Sequence, residues 1–481
     1  MNNQLKRTKI VATIGPASES PAVLKKMIAS GMNVARLNFS HNTHESHKIL
    51  VERLRRVSKE MHSPIGIMQD LQGPKIRVGE LEKPIKISAG DILILYWEQQ
   101  ERLVSGKEGN AILKKFKAKH FLPAQFPIAN YAKKGKEILI NDGVIELKTL
   151  EIKGHFVLAL AETDGVIETH KGMNFPGAKI DLPSLTKKDL EDLKFGLTLN
   201  IDMVALSFVT SHKDVVSLRK NIKKYNKKTS EPWIIAKIEK EQAVNDIDKI
   251  IQTADGIMIA RGDLGLETPQ EMVPIIQKEI ISKCLKAGKP VIVATQMLES
   301  MTKNPRPTRA EVSDVANAVI DKTDAVMLSG ETAYGSYPVK VIDTMRKIIE
   351  ATQKSSYDNL PADFLNGSKS TKAEAVASAA NELAKDANAK AIIAASFSGF
   401  TARMIARHRP CKTEIVVITN QVDVQNKMSL VWGTRSYLVD TVKNFEALVK
   451  EMVAVVKKNK IAKQGERVVV LTGEPLGQKE N

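Results

Sequence analysis

The chain has 481 residues, of which 43% are hydrophobic and 26% are charged, and these proportions exclude a fibrous or globally disordered protein. Its length predicts two to four domains, at about 150 residues each as a prior. The 72 basic and 55 acidic residues give a net charge of +17, which favours anionic partners. Because the lysines are spread along helical segments and aromatic residues are only 5% of the chain, a solvated lysine-rich surface is favoured over nucleic-acid binding.

Two further features bear on the cellular setting. No apolar run reaches the roughly 20 residues that span a bilayer, and the first residues lack the apolar segment of a secretory signal. The sequence therefore predicts a cytoplasmic protein with no membrane partner. The two cysteines, Cys284 and Cys411, are far apart, which argues against a disulfide framework or a thiolate metal site.

Short β-branched runs alternate with amphipathic helices along most of the chain. Eight of these runs are predicted as strands, namely Lys9 to Gly15, Asn33 to Phe39, Ile65 to Asp70, Met203 to Val209, Trp233 to Glu239, Gly256 to Arg261, Pro290 to Thr295 and Ala325 to Gly330. Eight strand–helix units predict an α/β fold of the (β/α)8 TIM-barrel type. In such a barrel the chemistry lies at the carboxyl ends of the strands.

The repeating pattern breaks after the third strand. From Glu80 to about Lys171, short strands and turns predict an inserted all-β domain, a β-barrel lid at the mouth of the main barrel that excludes water. From Thr371 onwards, helices and strands alternate as in an open α/β domain. The predicted domains are residues 1–79 and 172–354 for the barrel, 80–171 for the lid and 355–481 for the C-terminal unit.

One turn of the C-terminal unit, "SFSGFTAR", stands between a strand and the start of a helix. It contains Ser396, Ser398, Gly399 and Thr401. Backbone N–H groups and the helix dipole at such a turn can hold a phosphate group. A plain helix cap is the alternative interpretation.

Polar residues interrupt the apolar pattern where six of the predicted strands end, and alternate residues of a strand share a face. These residues are Arg36, Asn38 and Ser40; Asp70; Lys237 and Glu239; Arg261 and Asp263; Thr295; and Ser329 and Glu331. In a closed barrel all of them converge on one end. Solvent at a strand end explains one such residue, but it is a weak explanation for six strands.

Glu239 and Asp263 follow successive strands, and their carboxylates are suited to Mg²⁺ or Mn²⁺. The segment "HNTHESH" offers three histidines at steps of three, but it is predicted as a loop and a first helical turn, so a metal site there is disfavoured. The sequence contains neither a P-loop motif nor a strand-linked GxGxxG motif. The cations Arg36, Lys237 and Arg77 suggest a phosphorylated, carboxylated substrate. Both metal-assisted phosphoryl transfer and enolate chemistry fit these residues.

Longer segments carry a family resemblance. "KIVATIGPAS", "GMNVARLNFSH", "DLQGPKIRVG", "KGMNFPGAKIDLP", "DGIMIARGDLG" and "MLSGETAYGSYP" together resemble the pyruvate kinase family along the whole barrel, and the third unit resembles that family's C-terminal domain. The resemblance implies transfer of the phosphoryl group of phosphoenolpyruvate to ADP, yielding ATP and pyruvate, with a divalent metal. It also implies a homotetramer.

The resemblance assigns expected roles to individual residues. It implies that Glu239 and Asp263 hold the metal, that Lys237 neutralises charge on the transferring phosphoryl group, and that Arg36 binds phosphate. Thr295 matches the position from which the family routes the proton to the enolate. The backbone of Gly262 and Asp263 is expected to bind the substrate carboxylate. Arg77 and Lys171 are expected on the nucleotide side of the site. Asn38, Ser40, Asp70 and the carbonyl of Leu71 match positions that bind a monovalent cation in many relatives.

Lys75 lies in a segment that departs from potassium-dependent relatives, which typically read "TKGPEIRTG". Four positions differ together, Leu71, Gln72, Lys75 and Val78, and this combination resembles the potassium-independent branch of the family. An ammonium group can take roughly the place of a bound K⁺ and neutralise Asp70 and the substrate phosphate. We therefore expect no requirement for K⁺. A solvent-facing lysine is the alternative.

The effector and two competing functions stay open. The end of the chain lacks the "TGWRPG" loop that is associated with fructose 1,6-bisphosphate binding in eukaryotic forms, and Phe400 lies inside the phosphate-binding turn; a sugar phosphate remains the expected effector. A metal-dependent lyase or aldolase on the same barrel is one competitor. A basic nucleic-acid-binding protein without catalysis is the other.

Overall fold

The computed structural model describes residues 6–178, 183–359, 371–442 and 444–472. Eight parallel strands form a closed barrel in which sequence neighbours are also spatial neighbours and the eighth strand pairs with the first. This confirms the predicted (β/α)8 barrel. The barrel strands are Lys9–Thr13, Val34–Asn38, Gly66–Asp70, Met203–Leu206, Trp233–Ile238, Gly256–Ala260, Val291–Ala294 and Ala325–Leu328.

Amphipathic helices surround the barrel because their apolar residues recur every three or four positions. In the second helix, for example, Leu50, Leu54 and Val57 are buried. Side-chain caps define several starts, such as the reciprocal bonds between Thr308 and Glu311. The barrel helices are Pro21–Ser30, His44–Glu60, Lys187–Thr198, His212–Tyr225, Glu241–Asn245, Ile247–Thr253, Arg261–Glu267, Val273–Ala287, Arg309–Ile320, Gly330–Ala333 and Pro338–Lys354. Within the part of the chain described, no helix is both long and apolar enough to cross a membrane.

The insertion after the third barrel strand forms a six-stranded sheet and a two-stranded sheet. Bridges from Arg77 to Gly172 and from Val78 to Ala124 join the two edges of the larger sheet and close it into a small barrel. Its last strand, Met173–Asn174, begins after Lys171, where the lid was expected to end. The strands are Ile85–Ile87, Ile92–Trp97, His120–Ala124, Glu137–Ile140, Ile145–Lys153, Phe156–Ala161, Gly165–Ile167 and Met173–Asn174.

The all-β description of this insertion needs one correction. Gly106–Phe116 is an α-helix, and Gly109 is its one fully buried residue. The apolar residues of this segment do follow a helical spacing, but Gly106 and Gly109 lower its helix propensity.

The C-terminal domain is an open parallel sheet with helices, as predicted. Its strands lie in the order Thr434–Leu438, Glu414–Thr419, Ala391–Ala395 and Val468–Leu471. The first of these was not predicted, since "TRSYL" mixes polar residues into the run. The helices are Lys372–Asp386, Phe400–Ala406, Val422–Lys427 and Phe445–Lys458. The end of the motif "KGMNFPGAKIDLP" (179–182) and the final residues 473–481 lie outside the described residues.

The C-terminal domain packs against the amino-terminal end of the barrel. Asp324, directly before the eighth barrel strand, accepts a hydrogen bond from the Trp432 backbone N–H at 3.0 Å and pairs with Arg409 at 2.9 Å. One apolar cluster contains residues of both units, such as Met203 and Ile392. The opposite, carboxyl end of the barrel is therefore left to the lid and the polar strand ends.

Candidate active site

The carboxyl ends of strands two, three and five bring three predicted residues together. The Arg36 Nε lies 2.6 Å from Asp70 Oδ2, and the Lys237 Nζ lies 3.3 Å from Asp70 Oδ1. Burial raises the pKa of Asp70, but Lys237 and Arg36 outweigh this effect and hold that pKa below its usual value. Asp70 is therefore a buried anion between two cations.

Lys237 is the central cation of this network. Its Nζ lies 2.9 Å from Glu239 Oε1 and donates to Ser207 Oγ at 2.7 Å. Burial lowers the pKa of Lys237, but Asp70 and Glu239 together raise it above the ordinary value. The ammonium group therefore keeps its charge although it is buried.

Glu239 is held from two sides. Its Oε2 accepts a hydrogen bond from the Phe208 backbone N–H at 2.7 Å, and Phe208 has a left-handed φ of 53°, a conformation that is uncommon for a bulky residue. Burial raises the pKa of Glu239, Lys237 lowers it, and Asp263 raises it further. Two carboxylates that repel each other in this way gain from a cation between them.

Asp263 forms an ion pair with Lys75. The Lys75 Nζ lies 3.4 Å from Asp263 Oδ1 and 3.9 Å from Asp142 Oδ1 in the lid. Lys75 was expected to neutralise Asp70, and the structure corrects this: Asp70 is paired with Arg36 and Lys237, whereas Lys75 lies against Asp263.

Thr295 and Gly262 face each other at the ends of strands seven and six. The Gly262 N–H donates to Thr295 Oγ1 at 2.8 Å, and Thr295 has a left-handed φ of 70°, which is strained for a β-branched residue. Arg261 supports this conformation: it donates to the Thr295 carbonyl at 2.8 Å and to both carboxylate oxygens of Asp314 at 2.7 Å.

Sequence reasoning missed two residues of the site. Ser207 connects Lys237 to the Leu71 carbonyl, to which it donates at 2.6 Å; as a polar residue after strand four it fitted the pattern of the other strand ends. Asp314 lies inside the helix Arg309–Ile320. No pattern in the sequence connects it to Arg261.

Of the monovalent-cation equivalents, the oxygens of Asn38 and Leu71 have partners within the protein. Asn38 Oδ1 accepts from the Ser40 N–H at 3.1 Å, and the Leu71 carbonyl accepts from Ser207.

The two expected nucleotide-side cations lie on the lid hinge, the two segments 76–79 and 171–175 that join the lid to the barrel. Arg77 donates to the His170 carbonyl at 3.0 Å, and Lys171 pairs with Glu168 at 3.0 Å.

The two carboxylates Glu239 and Asp263 fit a hard divalent cation. Among the residues that the structure describes, no group of three or more His, Cys, Asp or Glu side chains gathers as metal ligands. Mg²⁺ is usually held by one or two carboxylates, with water and substrate phosphate in its other positions. Asp263 faces a cleft of about 1130 Å³, which is also lined by Gly262, Thr295 and Lys75, whereas Glu239 is buried and pairs with Lys237.

The histidines of "HNTHESH" have other partners. His44 Nε2 lies 2.7 Å from Asp192, and His47 Nε2 lies 3.0 Å from the His41 carbonyl. The His47 ring stacks on Phe39 at 4.0 Å between centroids. His44 and His47 therefore have packing and hydrogen-bonding roles, and His41 takes part through its backbone carbonyl.

In the C-terminal turn, two hydroxyl groups cap the backbone. Ser396 Oγ accepts from the Gly399 N–H at 3.0 Å, and Ser398 Oγ accepts from the Phe400 N–H at 3.3 Å. Gly399 has a φ of 78°, which favours glycine. Thr401 also has an interaction partner.

The fold and site define a barrel enzyme with a lid and a cluster of cations and carboxylates at the carboxyl ends of its strands. Two family models match the chain: "Pyruvate kinase, barrel domain" over residues 5–342 and "Pyruvate kinase, alpha/beta domain" over residues 374–481. The chain belongs to the pyruvate kinase family, a family of phosphotransferases.

Individual relatives agree with this family assignment. The chain is 40% identical over 479 residues to a pyruvate kinase of Staphylococcus epidermidis, covering 99% of this chain and 79% of the relative. It is 38% identical over 477 residues to a pyruvate kinase of Staphylococcus aureus, covering 98% and 79%. A crystal structure of a pyruvate kinase from Cryptosporidium parvum superposes with a TM-score of 0.88 at 36% identity, covering 97% of this chain and 94% of that one.

Proposed function

We propose that this protein transfers the phosphoryl group of phosphoenolpyruvate to ADP, giving ATP and pyruvate, with Mg²⁺ or Mn²⁺. The observation that carries the proposal is the buried Lys237 ammonium group, held by Asp70 and Glu239 at the carboxyl end of the barrel. Loose phosphoryl transfer depends on positioning and on neutralisation of charge. A fixed cation beside a pair of carboxylates supplies both.

Each residue has a proposed task in this reaction. Arg36 and Lys237 bind the phosphoryl oxygens, and Lys237 also stabilises the enolate oxygen that develops. Glu239 and Asp263 hold the divalent cation, which when bound supplies Lewis-acid neutralisation of charge. The backbone of Gly262 and Asp263 binds the substrate carboxylate, for which the Gly262 N–H exchanges its present partner, Thr295 Oγ1.

Two further tasks complete the proposed reaction. Thr295 orients the group, such as a water molecule, that protonates the enolate. Arg77 and Lys171, on the lid hinge, face the nucleotide.

The test is a coupled assay for pyruvate from phosphoenolpyruvate and ADP, with and without Mg²⁺. We expect pyruvate only when ADP and Mg²⁺ are both present. Release of pyruvate without nucleotide would instead favour a lyase or aldolase. A salt-dependent DNA complex without pyruvate formation would favour the nucleic-acid-binding alternative.

We propose that the reaction needs no K⁺. The Lys75 ammonium group stands 3.4 Å from Asp263, where it adds a positive charge to the site without capture of a free ion. The oxygens of Asn38 and Leu71 are occupied by hydrogen bonds from the protein. We therefore expect nearly full activity with Mg²⁺ in buffer that contains tetraalkylammonium in place of Na⁺ and K⁺.

The substitution Lys75→Glu should lower this activity and create a requirement for added K⁺, because it replaces the tethered cation with an anion beside Asp263. Lys83→Glu, at an exposed position of the lid, is the matched control and should behave like the unsubstituted protein. If K⁺ activates the unsubstituted protein about tenfold or more, the proposal is wrong.

We further propose that a sugar monophosphate or bisphosphate binds at the turn containing Ser396, Ser398, Gly399 and Thr401 and favours the active state. Such a ligand must bind the active state of the enzyme more tightly than the inactive state. Screening sugar phosphates at low phosphoenolpyruvate concentration should reveal one that shifts the saturation curve to lower concentrations, and Ser398→Ala should reduce the shift. Identical curves with every compound would refute this effector site.

Two properties complete the proposal: a homotetrameric assembly and a cytoplasmic location. Both rest on family membership. Sedimentation velocity on the purified protein tests the first, and cell fractionation tests the second.

A further inference from the structure

Three buried polar side chains outside the proposed catalytic set meet where the lid joins the barrel. Lys240 Nζ lies 3.1 Å from Glu267 Oε1, and Asn174 Nδ2 donates to the same oxygen at 3.2 Å. Lys240, Glu267 and Asn174 are 9%, 6% and 6% exposed. Glu267 Oε1 is the shared acceptor that gives both Lys240 and Asn174 a partner inside the cluster, and such buried polar contacts are strong in a low dielectric.

The positions of these residues in the chain connect the two proposed metal ligands. Lys240 directly follows Glu239, at the end of strand five. Glu267 lies four residues after Asp263 in the helix Arg261–Glu267, so both side chains lie on one helix face. The ion pair therefore ties the segment that carries one carboxylate to the segment that carries the other.

A second connection runs through Phe208. The Lys240 ammonium group lies 5.8 Å from the centroid of the Phe208 ring, within the range of a cation–π interaction. The backbone N–H of Phe208 in turn holds Glu239 at 2.7 Å. Displacement of Lys240 thus disturbs the orientation of Glu239 along two routes.

Asn174 brings the lid into this network. It belongs to the return strand of the lid, where it pairs with Leu139. Asn174, Lys240 and Glu267 line a cavity of about 30 Å³ together with Pro74 and Ile76, on the outgoing chain segment. A second lid contact, between Lys75 and Asp142, involves an aspartate that is 75% exposed, so the buried contact is the firmer of the two.

We infer that Asn174, Lys240 and Glu267 form a positioning cluster that couples the seating of the lid to the geometry of the divalent-metal site. This inference rests on the proposed function, since it takes Glu239 and Asp263 as the metal ligands. None of the three residues has a task toward the substrate or the metal in the proposed reaction. It acts by fixing the two ligand-bearing segments relative to each other and to the lid hinge.

The first test removes the ion pair without leaving an unpaired buried charge. In the double variant Lys240→Met with Glu267→Gln, the new glutamine oxygen still accepts from Asn174 and the methionine fills the lysine volume. We expect Mn²⁺ affinity, measured by electron paramagnetic resonance without substrates, to fall about tenfold, as for other supporting residues of metal sites. The thermal midpoint should change little, since apolar replacements of buried ion pairs are commonly tolerated.

The second test cuts the lid contact alone. In the unsubstituted protein, Mn²⁺ should slow amide hydrogen exchange in the hinge segments 76–79 and 171–175. In Asn174→Ala the ion pair remains, so Mn²⁺ should still bind, but the slowing of hinge exchange should be lost. Glu271→Gln, at an exposed position near Glu267, is the control and should change neither measurement.

The outcomes separate this inference from the proposed function. If the unsubstituted protein binds no Mn²⁺, the proposed metal site fails and the inference fails with it. If Glu239→Gln weakens Mn²⁺ binding while the double variant binds as tightly as the unsubstituted protein, and hinge slowing survives in Asn174→Ala, the inference alone is overturned.

Discussion

Replacing Lys237 with methionine should lower kcat by at least about a hundredfold, the scale of losing one preorganised charge partner. The methionine fills the volume of the lysine stem but cannot neutralise charge on the transferring group. Mn²⁺ affinity should not fall, because removal of a cation 2.9 Å from Glu239 leaves the carboxylates more negative. Steady-state kinetics and Mn²⁺ titration measure the two effects separately.

A control for this variant is Lys249→Met, on the surface of a following helix, where the lysine side chain is 66% exposed. Its kinetics should match those of the unsubstituted protein. Circular dichroism checks that Lys237→Met is folded, since Glu239 loses its buried partner while Asp70 keeps Arg36. A fall in kcat of less than about tenfold, with the fold intact, would remove Lys237 from the proposed role.

Replacing Glu239 with glutamine should abolish turnover at ordinary Mg²⁺ concentrations. A neutral amide is a poorer ligand for a hard cation than a carboxylate, whereas its oxygen can still accept the hydrogen bond from the Phe208 N–H. The main loss should therefore be in metal affinity, and excess Mn²⁺ should restore part of the activity. Mn²⁺ binding and activity over a wide range of metal concentrations provide the measurement.

The control for Glu239→Gln is Glu241→Gln, two positions further along the chain and exposed. It makes the same chemical change outside the site, and its metal dependence should be normal. If Glu239→Gln itself had normal activity and normal metal dependence, Glu239 would not be a metal ligand.

The sequence did not predict which cations pair with Asp70. The prediction that Lys75 neutralises Asp70 treated the two residues as neighbours in one turn. In the structure Arg36 and Lys237, from two other strands, hold Asp70, and Lys75 contacts Asp263. Which cation a buried carboxylate takes depends on every charge that reaches it through a low dielectric, and most of these charges are distant in sequence.

The sequence by itself determined the eight barrel strands, the helices between them and the polar residues at the strand ends, because the alternation of apolar residues and the end of a strand are local properties. Only the tertiary structure decided the contacts of Ser207, the support of Thr295 by Arg261 and Asp314, and the buried cluster of Asn174, Lys240 and Glu267. Asn174 and Glu267 are 93 residues apart. Such pairs meet only after the barrel has closed, since closure alone brings the ends of different strands and the lid hinge within hydrogen-bonding distance.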